Sequence, residues 1–351
     1  MTPQRELTEL LGVTHPVVLG PFGGASSVPL TAAVSELGGL GSFGLYGYDG
    51  DRIREVGAAL REATARPFAL NLWLPMPEPA RDGAAGFAEA AEAARPLFEA
   101  VGAEVPARPP AELLPSFEEQ WEAVVAVRPA VASFIFGVPP AHVIRECRDA
   151  GIRVIGSATT PAEARALAEA GVDAIVAAGF EAAGHRPSFL HEAERSLVGT
   201  FSLVPQVVDA VDVPVIATGG IADRRGVAAA VALGAAGVQA GTAFLRTTES
   251  AIGDAYRAAI AGTPPDATVL TRAMSGRLAR GARNAAVAHL EAAAAIAPFP
   301  LQNWLTGRFR TPAGKAGRAD LQSVWMGQSA ALAVHDRAAD VFAELVAGLP
   351  A

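Results

Sequence analysis

The chain has 351 residues, of which 51% are hydrophobic and 6% aromatic, and its formal net charge is −8 at pH 7. An acidic chain without a basic cluster is a poor partner for nucleic acid or an anionic membrane, and a single cysteine, Cys147, excludes an internal disulfide and a cysteine-rich metal site. Neither a secretory signal pattern nor an apolar run of about 18 residues occurs, so we expect a cytoplasmic protein.

Apolar runs alternate with helical stretches along the first 245 residues, which is typical of a parallel α/β fold. The predicted strands are residues 16–20, 39–43, 68–73, 131–136, 153–157, 174–178, 214–218 and 236–240. The predicted helices between them are 27–37, 52–63, 117–127, 141–150, 161–170, 201–211 and 223–233, with Thr160 and Asp223 as caps. Eight strands, most of them followed by a helix, predict a TIM (β/α)8 barrel, since a doubly wound sheet usually has fewer strands.

Two regions depart from this alternation of strands and helices. Residues 75–115 hold a predicted helix at 86–100 between proline-rich segments, which indicates an insertion after strand three that covers one edge of the site. We predict a barrel over residues 1–262 and a helical and loop extension over 263–351, packed on the barrel. The extension begins with the basic segment LTRAMSGRLARGARN, followed by a predicted helix at 285–297, an irregular stretch at 298–317 and a helix at 324–345. Its irregular pieces could reach over a bound cofactor.

Glycine follows each of the last two predicted strands, as Gly219-Gly220 and Gly241-Thr242. Glycine lets the backbone approach a ligand closely, and successive N–H groups can then cradle an anion. The loops after the last two strands of a TIM barrel are a frequent phosphate site, and Thr242 could add a hydroxyl donor. Two ordinary strand-to-helix turns remain the alternative. The pair predicts a phosphate-bearing cofactor.

The segment GFEAAGHR, residues 179–186, directly follows predicted strand six. Catalytic residues of TIM barrels lie at the C-terminal ends of the strands. His185 is therefore a candidate general base, and Arg186 a candidate cation for an anionic substrate or a flavin oxygen. Alternatively, His185 is a structural loop residue, and Glu181 caps a helix or pairs with Arg186.

Two further features belong to the same predicted rim. In GPFGG, residues 20–24, the backbone of Phe22 and Gly23 could lie against a flat ring or form a structural turn. Asn71 is an amide in the third strand, where a buried amide needs partners. The chain has no GxGxxG after a strand, no GxxxxGK[ST], no HExxH and no GxSxG, which removes the usual support for nucleotide hydrolysis, zinc proteolysis and serine-hydrolase chemistry.

These motifs, together with VPVIATGGIADRRGVAAAVALGAAGVQAGTAFL and WMGQSAAL, resemble the nitronate monooxygenase family from about residue 13 to residue 335. The resemblance implies a TIM barrel with non-covalent FMN that oxidises alkyl nitronates, and also neutral nitroalkanes, with O2 to a carbonyl compound and nitrite. It implies that His185 is the catalytic base. It also implies that FMN is bound by Phe22, Gly23, Asn71, Gly184, Gly219, Gly220, Gly241 and Thr242.

Three residues differ from the family pattern. Ala178 stands where the family usually has glutamine, Pro187 where it usually has glycine, and Ile135 where many members have histidine. These changes leave the FMN loops intact and cluster on the substrate side of the flavin. Two alternatives stay open: an NAD(P)H-dependent FMN reductase of a quinone or an enoyl thioester, and a non-catalytic flavin- or phosphate-binding barrel. The chain could also form a homodimer.

Overall fold

A computed structural model describes residues 2–75 and 86–350 of the chain. Its strands are Val17–Leu19 (β1), Gly41–Gly44 (β2), Phe68–Trp73 (β3), Val131–Ile135 (β4), Arg153–Ala158 (β5), Ala174–Ala178 (β6), Gly184–His185 (β7), Val215–Thr218 (β8), Gly237–Ala240 (β9), Thr268–Thr271 (β10) and Ala279–Ala282 (β11). Eight of them form a parallel sheet in the order β1-β9-β8-β6-β5-β4-β3-β2. A parallel bridge between Val18 and Leu40 joins its two edges, so the predicted TIM barrel is confirmed.

Helices surround the barrel. They are Pro3–Leu11 (α1), Val28–Glu36 (α2), Gly50–Ala63 (α3), Phe87–Glu99 (α4), Phe117–Val127 (α5), Ala141–Ala150 (α6), Pro161–Ala170 (α7), Thr200–Val208 (α8), Arg224–Ala232 (α9), Thr242–Leu245 (α10), Asp254–Gly262 (α11), Ala285–Ala293 (α12), Leu301–Lys315 (α13) and Ala338–Val346 (α14). No helix within residues 2–75 and 86–350 is long and apolar enough to cross a membrane.

Alternating strand residues divide the barrel core into two layers, because successive side chains of a strand point to opposite faces. Outward-facing residues such as Leu70 and Phe134 pack with the surrounding helices. Inward-facing residues such as Val131 and Ile216 fill the lumen together with Leu7 and Leu11 of α1. Helix α1, which the sequence did not predict, thus closes the N-terminal end of the barrel. The functional loops lie at the opposite, C-terminal end of the strands.

The C-terminal helix α14 completes the wall of the barrel. It packs against α2, α9 and β1, and Phe342 lies so close to Gly39 that a Cβ there would come within 2.6 Å of its ring. The C-terminal segment packs on the barrel because this contact buries Phe342 and Leu345. The predicted boundary at residue 262 stays a prediction, but the last helix of the predicted extension is part of the barrel's outer layer.

A second hydrophobic core joins the insertion to the extension. It is built from α4, α12 and α13, and Phe98 meets Phe309 edge-on with ring centroids 5.5 Å apart. The predicted insertion at 75–115 therefore packs on the extension as well as next to the barrel, although residues 76–85 lie outside the described part of the chain.

Two predictions in the extension are wrong. The stretch 298–317 is not irregular, since α13 spans Leu301–Lys315. Its prolines and glycines masked an apolar stripe at four-residue spacing, Leu301, Leu305, Phe309 and Ala313, whose burial in the second core outweighs the weak helix propensity. The predicted helix at 324–345 exists only from Ala338 onward. Upstream the chain is extended and turned, because it binds backbone groups of the barrel loops described below.

Candidate active site

The two glycine loops lie side by side, because β8 and β9 are paired with Thr218 opposite Gln239. Gly219 and Gly220 have φ values of +108° and +74°, which favour glycine over any residue with a Cβ. A Cβ on Gly219 would also come within 2.8 Å of Thr200 Oγ1. Beyond Gly241, the short helix α10 begins at Thr242, and no side chain among the described residues caps it. The two predicted glycine loops therefore lie together at the mouth of the barrel. The start of α10 there leaves backbone N–H groups that can donate to a ligand.

A segment of the extension, Gly327–Ser329, covers these loops. The Gly327 N–H donates to Thr242 Oγ1 at 3.0 Å, and Ser329 Oγ donates to the Gly220 carbonyl at 2.7 Å. The Gln328 N–H donates to the Glu181 carbonyl at 3.0 Å. Because Thr242 Oγ1 accepts in this arrangement, its own proton is available to a ligand. The WMGQS motif was visible in the sequence, but nothing local assigned it to these loops.

The GPFGG loop and Asn71 line the neighbouring side of the mouth. A Cβ on Gly23 would lie 3.2 Å from Tyr46 Cβ and 3.9 Å from the Trp73 ring, and a Cβ on Gly241 would lie 3.6 Å from the Phe22 ring. Phe22 and Gly23 thus connect the glycine loops with the aromatic residues at the ends of β2 and β3. Asn71 Nδ2 donates to Ser133 O at 3.2 Å and to Ser133 Oγ at 3.0 Å. Within the described residues no donor reaches Asn71 Oδ1, so this oxygen can accept a hydrogen bond from a ligand.

His185 is held by a strand rather than by a free loop. Gly184 and His185 form β7, which pairs antiparallel with β11 and places His185 opposite Ala279. Gly184 precedes it with φ +73°. His185 Nε2 lies 2.9 Å from Ser275 Oγ, and Ser275 Oγ donates to the Arg277 carbonyl at 3.0 Å. A serine has one proton to give, so the imidazole must donate from Nε2, and Nδ1 carries the lone pair.

An aromatic wall surrounds this imidazole. The ring centroids of Trp73, Trp325 and Phe299 lie 5.0, 5.5 and 6.1 Å from that of His185. Burial among these rings lowers the pKa of His185 to about 3, and the nearby guanidinium groups of Arg277 and Arg310 lower it further. His185 is therefore neutral at neutral pH and keeps a lone pair for a proton.

Arg186 does not face the mouth, so the predicted role as a cation for substrate or flavin is wrong. Its guanidinium is fully buried and donates to the carbonyls of Gly179 (2.7 Å), Ala178 (3.0 Å) and Ser196 (3.0 Å). It fixes the long loop beneath His185. Of the two alternatives for Glu181, helix capping is confirmed, because its carboxylate accepts the Thr200 N–H at 2.9 and 3.0 Å at the start of α8.

The residues that depart from the family pattern lie at the same end of the barrel. Ala178 ends β6 opposite Thr218, and Ile135 ends β4 opposite Trp73. Ala178 and Pro187 are buried. Ile135 therefore places an apolar side chain beside Trp73 where many members of the family have histidine, and Ala178 an apolar one at the end of β6 where the family usually has glutamine.

Comparison with known proteins gives consistent matches over nearly the whole chain. A family model described as nitronate monooxygenase matches residues 4–348. A nitronate monooxygenase of Pseudomonas aeruginosa is 40% identical over 348 residues, which cover 97% of each protein. A probable nitronate monooxygenase of Staphylococcus aureus is 36% identical and covers 99% of this chain and 97% of its own.

Solved structures agree with the sequence matches. A nitroalkane oxidase from Streptomyces ansochromogenes superposes with a TM-score of 0.88 at 35% identity, covering 97% of this chain and 96% of its own. FabK from Thermotoga maritima superposes with a TM-score of 0.74 at 30% identity, covering 97% of this chain and 94% of its own.

Proposed function

Because the chain belongs to the nitronate monooxygenase family, we propose that it is a flavin-dependent oxidoreductase that uses O2 to oxidise alkyl nitronates to a carbonyl compound and nitrite. The observation that carries this proposal is the position of the His185 imidazole, which Ser275 holds at the barrel mouth that also carries the two glycine loops. Neutral nitroalkanes are slower substrates of the same site. A homodimer and a cytoplasmic location stay predictions.

The residues at the mouth fit FMN, which we propose as the cofactor. The N–H groups around Gly219, Gly220, Gly241 and Thr242 suit a phosphate, because a Cβ-free loop and an uncapped helix start expose backbone donors. Asn71 Oδ1 suits an N–H of the flavin ring, and the backbone at Phe22, Gly23 and Gly184 suits its edge. When bound, the flavin accepts the electrons of the substrate, and the protein orients and polarises the flavin and the substrate.

The charges beside His185 favour an anionic substrate. The two guanidinium groups that depress the imidazole pKa, those of Arg277 and Arg310, create a positive potential at this wall. A nitronate carries the negative charge that such a potential stabilises, and it needs no proton removal. The aromatic rings exclude water, which strengthens that attraction.

A neutral nitroalkane must first lose its α-proton, for which His185 Nδ1 is the available base. An imidazole with a pKa of about 3 is always unprotonated at neutral pH but is a weak base. Proton removal is therefore slow, and the preformed nitronate is the better substrate. In His185→Asn we expect flavin reduction by neutral nitroalkanes to fall by about 10²- to 10⁴-fold, with a much smaller loss on nitronates. An equal loss on both would show that His185 is not the base.

Anaerobic mixing of the purified protein tests the overall proposal. Released cofactor is first identified by mass, which should be that of FMN. Ethyl nitronate should then bleach the flavin absorbance without a nicotinamide. Bleaching by NADH or NADPH alone would instead support an NAD(P)H-dependent reductase. No bleaching by either would support a non-catalytic flavin-binding barrel.

A further inference from the structure

Glu163 is the one acidic residue within residues 2–75 and 86–350 that is buried, with 1% exposure. It lies in the first turn of α7. Its Oε2 accepts hydrogen bonds from the Thr159 N–H at 2.7 Å and from the Thr159 hydroxyl at 2.6 Å. Its Oε1 accepts from the N–H groups of Phe189 at 2.7 Å and Leu190 at 3.1 Å. These four hydrogen bonds offset the cost of burying a charge.

The two carboxylate oxygens of Glu163 serve different parts of the chain. The contacts of Oε2 are local and resemble a capping box at the start of α7, where Thr160 accepts the Glu163 N–H. Helix capping accounts for that oxygen only. Oε1 reaches Phe189, 26 residues away, in the segment that directly follows His185 and Arg186. Glu163 therefore ties α7 to the chain that carries the candidate base.

One peptide group connects Glu163 with Arg277. The Phe189 N–H and the Ser188 carbonyl belong to the same planar unit and point in opposite directions. The N–H donates to Glu163 Oε1, and the carbonyl accepts from Arg277 Nη2 at 2.9 Å. Within the described part of the chain this is the one hydrogen bond of the Arg277 guanidinium, whose Nε has no partner. Because hydrogen bonds at the two ends of an amide polarise each other, the carboxylate strengthens the hold on the cation.

Arg277 reaches the surroundings of His185 in two ways. Its carbonyl accepts from Ser275 Oγ at 3.0 Å, and that hydroxyl lies 2.9 Å from His185 Nε2. Its guanidinium carbon lies 4.2 Å from the centroid of the Phe136 ring, which is 4.8 Å from that of Trp73. Burial lowers the pKa of His185 to about 3, and the charge of Arg277 contributes to that shift. The position of this cation thus affects the electrostatics at the imidazole.

Phe136 depends on the same contacts. Its φ is +72°, in the left-handed region that a bulky residue rarely adopts. Such a conformation persists only where the surrounding structure holds it. Trp73 and the guanidinium of Arg277 both pack on this ring, so a displaced guanidinium would disturb the aromatic wall as well as the charge.

We propose that Glu163 is a positioning residue for the reaction, which holds the Arg277 guanidinium beside His185 through the Ser188–Phe189 peptide group. This inference rests on the proposed function, in which the positive potential of Arg277 favours an anionic nitronate. Glu163 itself touches neither His185 nor Ser275 within the described contacts, and it acts through Arg277.

Binding of ethyl nitronate, measured by anaerobic flavin reduction, tests the inference. Loss of a negative charge alone would tighten the binding of an anion, whereas loss of positioning weakens it. In Glu163→Met we expect the Kd to rise about two- to tenfold and the limiting rate of reduction to change less. A lowered or unchanged Kd in the folded variant would overturn the proposal.

A double-mutant cycle tests whether the effect passes through Arg277. Arg277→Met should raise the Kd at least as much as Glu163→Met, and the double variant should bind no more weakly than Arg277→Met alone. Independent effects that multiply would contradict the proposed link. Thr159→Val is the matched control, since it removes a hydrogen bond to Oε2 but leaves the peptide bridge. It should leave the Kd unchanged, and an equal rise would show that Glu163 has only a structural role.

Amide proton signals test the bridge even if Glu163→Met does not fold. In Arg277→Met holoprotein the Phe189 amide proton should move upfield, because its peptide group loses the charged partner at the Ser188 carbonyl. The Leu190 amide donates to the same carboxylate oxygen but belongs to the next peptide group, so it should move much less. An unmoved Phe189 signal would refute the bridge. If no nitronate reduces the flavin, the proposed function fails, while the amide signals still decide whether Glu163 and Arg277 are linked.

Discussion

The protonation of His185 can be tested directly by lowering the pH from 8 to 5. An imidazole with the ordinary pKa of about 6.5 would be about 97% protonated at pH 5. Burial among Trp73, Trp325 and Phe299, with Arg277 and Arg310 nearby, lowers the pKa of His185 to about 3. At pH 5 we therefore expect His185 to be about 1% protonated. The pKa of His185 is lowered and not raised, because burial and adjacent cations both disfavour the charged form of the imidazole.

The hydrogen bonds predict the tautomer as well. Ser275 Oγ gives its proton to the Arg277 carbonyl, so Nε2 of His185 must carry its own proton. Long-range 1H–15N spectra of histidine-labelled protein separate the charged ring from both neutral tautomers. The chain has six histidines, and the signal that disappears in His185→Asn identifies the one of interest.

The expected spectrum shows a neutral ring, protonated at Nε2, that does not change between pH 8 and pH 5. An ordinary titration with a midpoint near 6.5 would refute the proposed burial and charge effects. A neutral ring protonated at Nδ1 would refute the orientation of Ser275 and, with it, the assignment of Nδ1 as the base.

Three further substitutions test the surrounding structure. Ser275→Ala should slow flavin reduction by neutral nitroalkanes about two- to tenfold in stopped-flow measurements, with little effect on nitronates and recovery in Ser275→Thr. Gly220→Ala, which forces a Cβ onto a φ of +74°, should yield protein with less bound flavin by absorbance, whereas Gly253→Ala, at an open position, should not. Arg186→Met should lower the free energy of unfolding in urea by about 3–5 kcal/mol, because three buried carbonyls lose their donor. Arg95→Met, which breaks an exposed pair with Glu92, should leave the free energy of unfolding nearly unchanged.

Elements with local start and stop signals were predictable from the sequence. Helix α7 begins after Thr160, whose side chain accepts the Glu163 N–H, and ends at Gly171 in the left-handed conformation. Its predicted and observed bounds agree, as do those of β3 and β6. Helix α13 was not predictable in this way, because its stability comes from burial against α4, which lies some 200 residues away in the chain. Helix propensity reflects only the local composition of α13, including its prolines and glycines, and contains no information about the contact with α4.

The site shows the same division between local and distant information. The sequence predicted the glycine loops, Asn71 and His185 at one end of the barrel, because strand ends determine their position. It could not predict Ser275, which is 90 residues from His185 in sequence and reaches it through the pairing of β7 with β11. Nor could it place Trp325 or Gly327, which lie in a stretch predicted to be helical.

The two halves of the site are subject to different constraints. The side of the glycine loops is made of backbone at the ends of β8 and β9, where positive φ values and close contacts restrict the residues allowed. The side around His185 includes side chains from the extension, Phe299 and Trp325, which pack on the barrel mouth without forming it. Substitution there can change the surroundings of His185 without altering the glycine loops. The departure at Ile135 is of this kind, since it lies opposite Trp73 at the end of β4 while the glycine loops stay intact. A chain can therefore keep the cofactor site of its family and still differ in the nitronate that it oxidises.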